Sequence, residues 1–196
     1  QDVTDEGVWQ EVITGIADEE GGLNILVNNA GIAIGVAVTE MSLADWQRQN
    51  AVNLDGVFLG TKHAIPLMAQ SGGGSIINIS SVAGLIGAGG LAGYCATKGG
   101  VRLFTKAVAI ECAAGDTNIR VNSVHPGIID TDIWGKEISG IAQGQPELMV
   151  EGANRINIEA FTDTLVPGGR VGQPEEVAQG VVFLASDASS YMSGTE

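Results

Sequence analysis

The stretch SIINISSVAGLIGAGGLAGYCATK, which runs from Ser75 to Lys98, decides the fold of this chain. It opens with an isoleucine-rich apolar run that ends at Ser80, a pattern typical of a buried strand. A glycine-rich loop follows, and the residues from Tyr94 onward favour a helix. We therefore expect a buried strand that passes through a loop into a helix.

Three polar side chains belong to this unit. Tyr94 and Lys98 are four residues apart, so they lie one turn from each other on one face of the predicted helix. Ser81 follows the strand directly, thirteen residues before the tyrosine. Because open α/β sheets bind ligands at the carboxyl ends of their strands, we expect a hydroxyl, a phenol and an ammonium group to meet there.

The rest of the chain alternates the same two kinds of element. The predicted helices cover 6–20, 43–68, 92–114 and 174–186, and the predicted strands cover 23–27, 75–80 and 120–124. Alternation of this kind predicts the α/β class, with a doubly wound parallel sheet and helices on both faces. The segment 128–169 shows no strong period, and we interpret it as a substrate-binding lid.

Composition limits the class of protein. The 196 residues fit one domain over 1–196, and 44% hydrophobic with 16% charged residues is typical of a soluble globular chain. A net charge of −14 argues against nucleic acid and anionic membranes as partners. Cys95 and Cys112 are too far apart on one predicted helix to form a disulfide, so we expect reduced thiols and a cytoplasmic protein. Neither His63 nor His125 has metal-ligand spacing, so we expect no metal.

Five short elements occur together along the chain. They are Asn28-Asn29-Ala30-Gly31, Asn53 within Val52-Asn53-Leu54-Asp55-Gly56, Ser81, Tyr94-x-x-x-Lys98, and Pro126-Gly127 followed by Thr131. In this order and spacing they resemble the short-chain dehydrogenase/reductase family, in its compact single-domain branch with a Rossmann-type sheet. The chain looks closest to bacterial hydroxysteroid and cyclic-alcohol dehydrogenases.

The chemistry of the polar residues agrees with this resemblance. Oxidation of a secondary alcohol needs a base, and a tyrosine with a pKa of about 10 is a poor one. A nearby ammonium and an oxidised nicotinamide favour the phenolate, and lowering the pKa by about three units needs about 4 kcal/mol. We therefore assign Tyr94 as general acid/base and Lys98 as its activator, while Ser81 donates a hydrogen bond to the reacting oxygen. The resemblance further implies that Asn53 holds a water linking Lys98 to solvent.

The resemblance also implies a nicotinamide cofactor, NAD or NADP. The residues that would contact it are Asp2, Val3, Asn29, Ala30, Gly31, Tyr94, Lys98, Pro126, Gly127, Ile128 and Thr131. The residue that separates NAD from NADP follows the second strand of family members, a position that this chain does not contain. We favour NAD because the closest resemblance is to alcohol-oxidising members.

The family's glycine-rich pyrophosphate turn does not occur in this sequence. We expect the sheet to be incomplete at both ends, with the family's first strand absent beside 23–27. Unpaired backbone groups in a buried strand cost about 1 to 3 kcal/mol each. We therefore expect these 196 residues by themselves not to form an active, cofactor-binding enzyme.

For the complete protein we predict an NAD(P)-dependent oxidoreductase that interconverts a secondary alcohol and a ketone. The candidate substrate pocket is apolar, and no basic residue occurs within 128–133, so hydrophobic steroid-like or cyclic substrates fit best. Its members are Leu85, Ile86, Trp134, Ile138 and Met149. The family commonly pairs its two long helices, so we expect a homo-oligomer, a dimer or tetramer. The alternatives are a catalytically silent nucleotide-binding scaffold and a sugar epimerase.

Each candidate residue has a purely structural alternative. Tyr94 and Lys98 would be an ordinary solvated helix pair, and Ser81 a turn residue that is easily exchanged with Ser80. Asn53 lies in a predicted helix, where asparagine is unfavourable, so it would mark a local backbone kink. These alternatives stay open at the level of sequence.

Overall fold

Helices and strands alternate along the chain, as the sequence predicts. The computed structural model describes residues 1–135, 137–142, 146–153 and 155–196. The helices there are α1 (Glu6–Glu20), α2 (Leu43–Asn50), α3 (Gly56–Gln70), α4 (Ala92–Ala114), α5 (Thr162–Leu165) and α6 (Pro174–Ala185). The strands are β1 (Ile25–Asn28), β2 (Gly74–Ile79) and β3 (Ile119–Val124).

The three strands form one parallel sheet in the order β1-β2-β3. Ile25 of β1 lies beside Ser75, and Ile76 of β2 lies beside Val121. The end of the chain extends beside β3, because Gly194 N donates to Val121 O at 2.8 Å. The parallel strands and the intervening helices confirm the predicted α/β class.

Side chains of β2 alternate between two helical layers. Ile76 lies in the main core, which also contains Met68 of α3 and Val108 of α4. Ser75 points to the opposite face, where its hydroxyl donates to Leu184 O of α6 at 2.8 Å. Helices therefore cover both faces of the sheet, as predicted for a doubly wound fold.

The predicted helix over 43–68 is wrong in its middle. The structure has two α-helices joined by a π-helical turn, Ala51–Asp55, and the second helix ends at Gln70. Asn53 lies in this turn and binds the backbone of a neighbouring segment with its side chain. A π turn accommodates one extra residue per turn, which sequence periodicity does not reveal.

The segment 128–169 is tied to the rest of the chain through hydrogen bonds of its first ten residues. Gly172 N donates to Ile128 O and Asp130 N donates to Gly172 O, both at 2.9 Å. Gly35 N donates to Glu137 O at 2.9 Å, and the Glu137 carboxylate accepts from Arg48 at 2.7 Å. Its described residues form short 3₁₀ turns and α5.

Two kinds of feature do not occur in the described residues. No helix there combines the length and apolarity that a bilayer crossing needs. No three His, Cys, Asp or Glu side chains in that part are grouped to share a metal ion.

Candidate active site

Ser81, Tyr94 and Lys98 meet where β2 ends and α4 begins. Ser81 follows β2 in extended backbone and caps a 3₁₀ turn, because its hydroxyl accepts from Ala83 N at 3.1 Å. The Ser81 side chain also lies close enough to the Tyr94 phenol to lower its pKa. Lys98 Nζ lies 5.7 Å from the centroid of the Tyr94 ring. The structure thus brings the three predicted residues together at the carboxyl end of the central strand.

The adjacent serines have different partners. The Ser80 hydroxyl is buried and donates to Lys98 O at 2.8 Å. Ser80 therefore fastens the end of β2 to the helix, whereas the Ser81 hydroxyl accepts from Ala83 N and lies near enough to the phenol to affect its pKa. This difference supports the choice of Ser81 as the candidate catalytic serine.

The Lys98 ammonium is almost completely buried, with 3% of the residue exposed. It donates to Ile79 O at 2.8 Å, and an ammonium has two further N–H donors. Burial lowers the pKa of Lys98 to about 8, because the charged form is less well solvated than in water. A Cβ at Gly31 would lie 3.3 Å from Nζ, so the glycine keeps space beside this ammonium.

Burial raises the pKa of Tyr94, and the Ser81 side chain lowers it only in part. The tyrosine is 9% exposed and packs in an apolar cluster, while the Lys98 ammonium donates to Ile79 O. The phenol is therefore protonated at neutral pH in this environment. The expectation that Lys98 and an oxidised nicotinamide together lower this pKa stays a prediction.

Asn53 joins three parts of the structure. Its Oδ1 accepts from Ile32 N at 2.8 Å, and its Nδ2 donates to Ile32 O at 2.9 Å and to Thr97 Oγ1 at 3.1 Å. The side chain thereby holds the segment after Gly31 against α4. Asn53 lies in the π-helical turn Ala51–Asp55, and its Oδ1 would be 3.5 Å from a Cβ at Gly31.

A buried polar chain lies beneath the site. Asn28 Nδ2 donates to Thr61 Oγ1 and to Asn78 Oδ1, so its amide fastens the end of β1 to α3 and β2. Asn78 Nδ2 continues the chain to Thr105 Oγ1 at 2.9 Å. Sequence reasoning missed Asn78 and both threonines. Their signal is a polar residue within an apolar strand or helix face.

The predicted cofactor contacts fall into two groups. Val3, Asn29 and Ala30 border one cavity of about 270 Å³ beside β1. Pro126 lies next to the loop that follows Ser81, because its carbonyl accepts from Val82 N at 3.0 Å. Gly127, Ile128 and Thr131 follow it in the chain.

Asp2 uses its carboxylate locally. It accepts from Thr4 N at 2.9 Å and from the Thr4 hydroxyl at 2.8 Å, and these hydrogen bonds lower its pKa. Asp2 therefore fixes the turn that precedes α1, and the neighbouring Val3 reaches the cavity.

The structure brings together three of the five residues predicted to line the substrate pocket. Ile138 is buried in a cluster with Tyr94, and Trp134 and Met149 pack against it. Leu85 and Ile86 lie outside this cluster and are 43% and 68% exposed. Their place is taken by buried residues that sequence reasoning missed, namely Ala33, Ile156 and Ile158.

Comparison with known proteins gives a consistent family. A family model described as enoyl-(acyl carrier protein) reductase matches residues 1–196. The chain is 43% identical over 195 residues to a cyclopentanol dehydrogenase of Comamonas sp. (strain NCIMB 9872), covering 100% of this chain and 71% of that protein. It is 37% identical over 196 residues to an NADP-dependent (R)-specific alcohol dehydrogenase of Lentilactobacillus kefiri, with coverages of 100% and 71%.

A steroid-related protein and a solved structure agree with these matches. A 3-alpha-(or 20-beta)-hydroxysteroid dehydrogenase of Mycobacterium tuberculosis (strain ATCC 25618 / H37Rv) is 41% identical over 195 residues, which are 100% of this chain and 66% of that protein. The crystal structure of levodione reductase superimposes with a TM-score of 0.85 at 32% identity, covering 99% of this chain and 71% of the other. The chain belongs to the short-chain dehydrogenase/reductase family, and it is an oxidoreductase of the class that acts on CH–OH groups.

Proposed function

We propose that the protein interconverts a secondary alcohol and a ketone with NAD or NADP, using Tyr94 as general acid/base. The observation that supports this most directly is the arrangement of Ser81, Tyr94 and Lys98 at the end of β2. Tyr94 also borders the apolar cluster around Ile138, so its phenol is next to a surface suited to a hydrophobic ring.

The residues around the site fit a nicotinamide dinucleotide. Gly31 keeps space beside the Lys98 ammonium, where a ribose hydroxyl would bind, and the cavity beside Val3 and Ala30 suits an adenosine moiety. The contacts we propose are Asp2, Val3, Asn29, Ala30, Gly31, Tyr94, Lys98, Pro126, Gly127, Ile128 and Thr131. The cofactor supplies the hydride acceptor or donor when bound.

The protein's own residues handle the proton. In the reductive direction the protonated Tyr94 donates to the ketone oxygen while the Ser81 hydroxyl donates a hydrogen bond to the same atom. In the oxidative direction the phenolate accepts the alcohol proton, and Lys98 stabilises that phenolate. Because burial raises the pKa of Tyr94, the reductive direction suits neutral pH better, and alcohol oxidation should accelerate as the pH rises.

Substrates are proposed by class. The relatives named for cyclopentanol and hydroxysteroids and the apolar surroundings of Tyr94 favour cyclic or steroid-like carbonyl compounds. We further propose that 128–169 acts as a lid within a single domain over 1–196, since Ile138, Trp134 and Met149 place this segment against Tyr94.

The cofactor preference, assembly and location are also proposals. Alcohol oxidation favours NAD, whereas the Lentilactobacillus kefiri relative is named NADP-dependent, so kcat/KM should be compared for both. Phe58, Leu103 and Ile110 are 45%, 66% and 71% exposed on α3 and α4, which supports a homodimer or homotetramer formed through these helices. The two free cysteines suit the cytoplasm.

Tyr94→Phe tests the proposed function. The protein expressed from its complete reading frame is assayed with cyclopentanol and with a hydroxysteroid, and we expect kcat to fall about 10² to 10⁴-fold, the usual contribution of general acid/base catalysis. The melting temperature should stay close to that of the parent. Tyr191→Phe is the matched control, because Tyr191 is fully exposed. Unchanged turnover in Tyr94→Phe would favour a different base, and no turnover in the parent would favour a silent scaffold.

A further inference from the structure

A hydrogen-bond chain connects the candidate catalytic serine to the last residues of the chain. It passes from Ser81 through His125 and Ser123 to Thr195. We propose that His125 is a positioning residue, which fixes the Ser81 main chain so that the Ser81 hydroxyl is held against Tyr94. The proposal rests on the proposed function of Ser81 and Tyr94.

The contacts of His125 define its tautomer. Its Nδ1 lies 2.9 Å from Ser81 O, and a carbonyl oxygen only accepts, so Nδ1 is the protonated nitrogen. Its Nε2 lies 2.9 Å from Ser123 Oγ. In the neutral ring Nε2 is therefore the acceptor of the Ser123 hydroxyl proton. Each ring nitrogen has one defined partner, so the ring orientation is fixed.

The backbone hydrogen bonds between this loop and the segment after β3 come from the residues on either side of Ser81. Ser80 N donates to Val124 O at 2.8 Å and Val82 N donates to Pro126 O at 3.0 Å. Apart from His125, the Ser81 carbonyl accepts from Gly84 N at 2.8 Å, within its own turn. The imidazole is thus the side-chain link between this turn and the segment after β3.

The other end of the hydrogen-bond chain is held firmly. Ser123 is 3% exposed, and its N–H donates to Thr195 O at 3.0 Å. Asn122 Oδ1 accepts from Thr195 N at 3.0 Å and from the Thr195 hydroxyl at 2.8 Å. The docked end of the chain therefore orients Ser123, which orients the imidazole, which orients Ser81.

Two amide substitutions distinguish the hydrogen bond of Nδ1 from the hydrogen bond of Nε2. His125→Asn places an amide nitrogen on Cγ, where Nδ1 is, and keeps a donor for Ser81 O. His125→Gln moves the amide one bond further, where Nε2 is, and keeps a partner for Ser123 alone. His125→Phe removes both bonds and keeps the ring volume. His63→Phe is the control at the chain's other histidine, whose Nε2 hydrogen-bonds the Glu6 carboxylate at 3.0 Å.

The proposal predicts a graded effect on turnover in the protein from the complete reading frame. We expect kcat to fall about tenfold to a hundredfold in His125→Phe and His125→Gln, since a displacement of ~1 Å at a reacting group can cost about 10² in rate. The cofactor KM should stay unchanged, and His125→Asn should recover most of the lost kcat. Equal losses in the Asn and Gln variants, or an unchanged kcat in the Phe variant, would overturn the proposal.

A double-mutant cycle with Ser81→Ala gives the decisive comparison. If His125 acts through the Ser81 hydroxyl, His125→Phe causes no additional loss of kcat when Ser81 is already alanine. An additional tenfold loss in that background would show a purely structural effect and overturn the proposal. Nitrogen NMR of the imidazole is independent of turnover, and a ring protonated at Nε2 alone would overturn the hydrogen bond to Ser81. Absence of turnover in the parent, with Nδ1 protonated, would instead contradict the proposed function.

Discussion

At the scale of single residues, the site combines two groups whose charged forms are disfavoured by burial. The pKa of Lys98 is lowered to about 8 and the pKa of Tyr94 is raised, in both cases mainly by burial. Both side chains are buried, so Tyr94 and Lys98 do not form the solvated helix pair that was the structural alternative at the level of sequence. A buried ammonium near a buried phenol is costly for folding and useful for proton transfer.

Lys98→Met should stabilise the protein at neutral pH. The pKa of Lys98 falls from 10.5 in the unfolded chain to about 8 in the folded protein. At pH 7, where the lysine is charged in both states, this shift lowers the free energy of unfolding by about 3 kcal/mol. Replacing Lys98 by methionine removes this destabilisation, but loss of the hydrogen bond to Ile79 O offsets about 1 kcal/mol of the gain in stability. We therefore expect a net increase of about 2 kcal/mol in the free energy of unfolding at pH 7, measured by urea denaturation, together with loss of turnover.

The pH dependence of this difference supplies its check. Between pH 8 and pH 10.5 the unfolded chain holds the lysine proton and the folded chain does not, so the parent gains stability as the pH rises. The advantage of Lys98→Met should shrink across that window. Lys106→Met is the control for removing an ammonium from the same helix, at a position where the group lies 3.1 Å from Glu196. A constant difference from pH 7 to pH 10 would contradict the burial of a charged Lys98.

At the scale of elements, the site depends on a close approach between the catalytic loop and α4. The 3₁₀ turn Val82–Gly84 lies against the backbone of Lys98, and a Cβ at Gly84 would be 2.6 Å from Lys98 O. Ser80 binds the same carbonyl from the end of β2. These two contacts with the Lys98 carbonyl thus fix the distance between α4 and the end of β2.

Gly84→Ala should move α4 away from the loop. A methyl group at 2.6 Å from a backbone oxygen cannot be accommodated by a side-chain rotation, so we expect a loss of about 1 to 3 kcal/mol in stability, as in other overpacked sites. The kcat should fall as well, since Ser81 and Tyr94 would separate. Gly87→Ala is the matched control in the same loop, because a Cβ there meets no atom within 4 Å. Equal melting temperatures of the two variants would contradict this prediction, because they would show that the loop accommodates the methyl group without loss of stability.

At the scale of the whole molecule, the two edges of the sheet differ: the β3 edge is covered and the β1 edge is open. The chain end at Gly194 pairs beside β3, whereas β1 pairs with β2 alone among the described residues. Ile25 and Val27 of β1 are 50% and 39% exposed, although each is a large apolar side chain. An unpaired, apolar edge strand is prone to pair with another chain.

The 196 residues expressed by themselves should therefore self-associate through β1. Sedimentation velocity at micromolar concentration should show species that grow with concentration, and Ile25→Lys should reduce them, since an edge lysine opposes pairing. Val38→Lys replaces an equally apolar residue, 67% exposed and outside the sheet, and should leave association unchanged. A monomer at every concentration would contradict this prediction. The expectation that these residues alone do not bind a nicotinamide cofactor tightly stays a prediction.

The amino-acid sequence by itself determined the fold class, the family and the set of polar residues at the site. These follow from local properties, namely the period of apolar residues, the Tyr94-x-x-x-Lys98 spacing and the order of the five short elements. The bounds of most elements follow for the same reason, because capping residues such as Ser42 and Gly21 act within one turn.

The tertiary structure alone decided the π turn at Asn53, the different partners of Ser80 and Ser81, the direction of the Tyr94 pKa and the link through His125. Each depends on residues distant in sequence, such as Ile32 for Asn53 and Lys98 for Ser80. Burial and hydrogen-bond partners are set by how the elements pack in space. No local pattern of side chains contains that information, so the environment of each catalytic group becomes visible only in the folded chain.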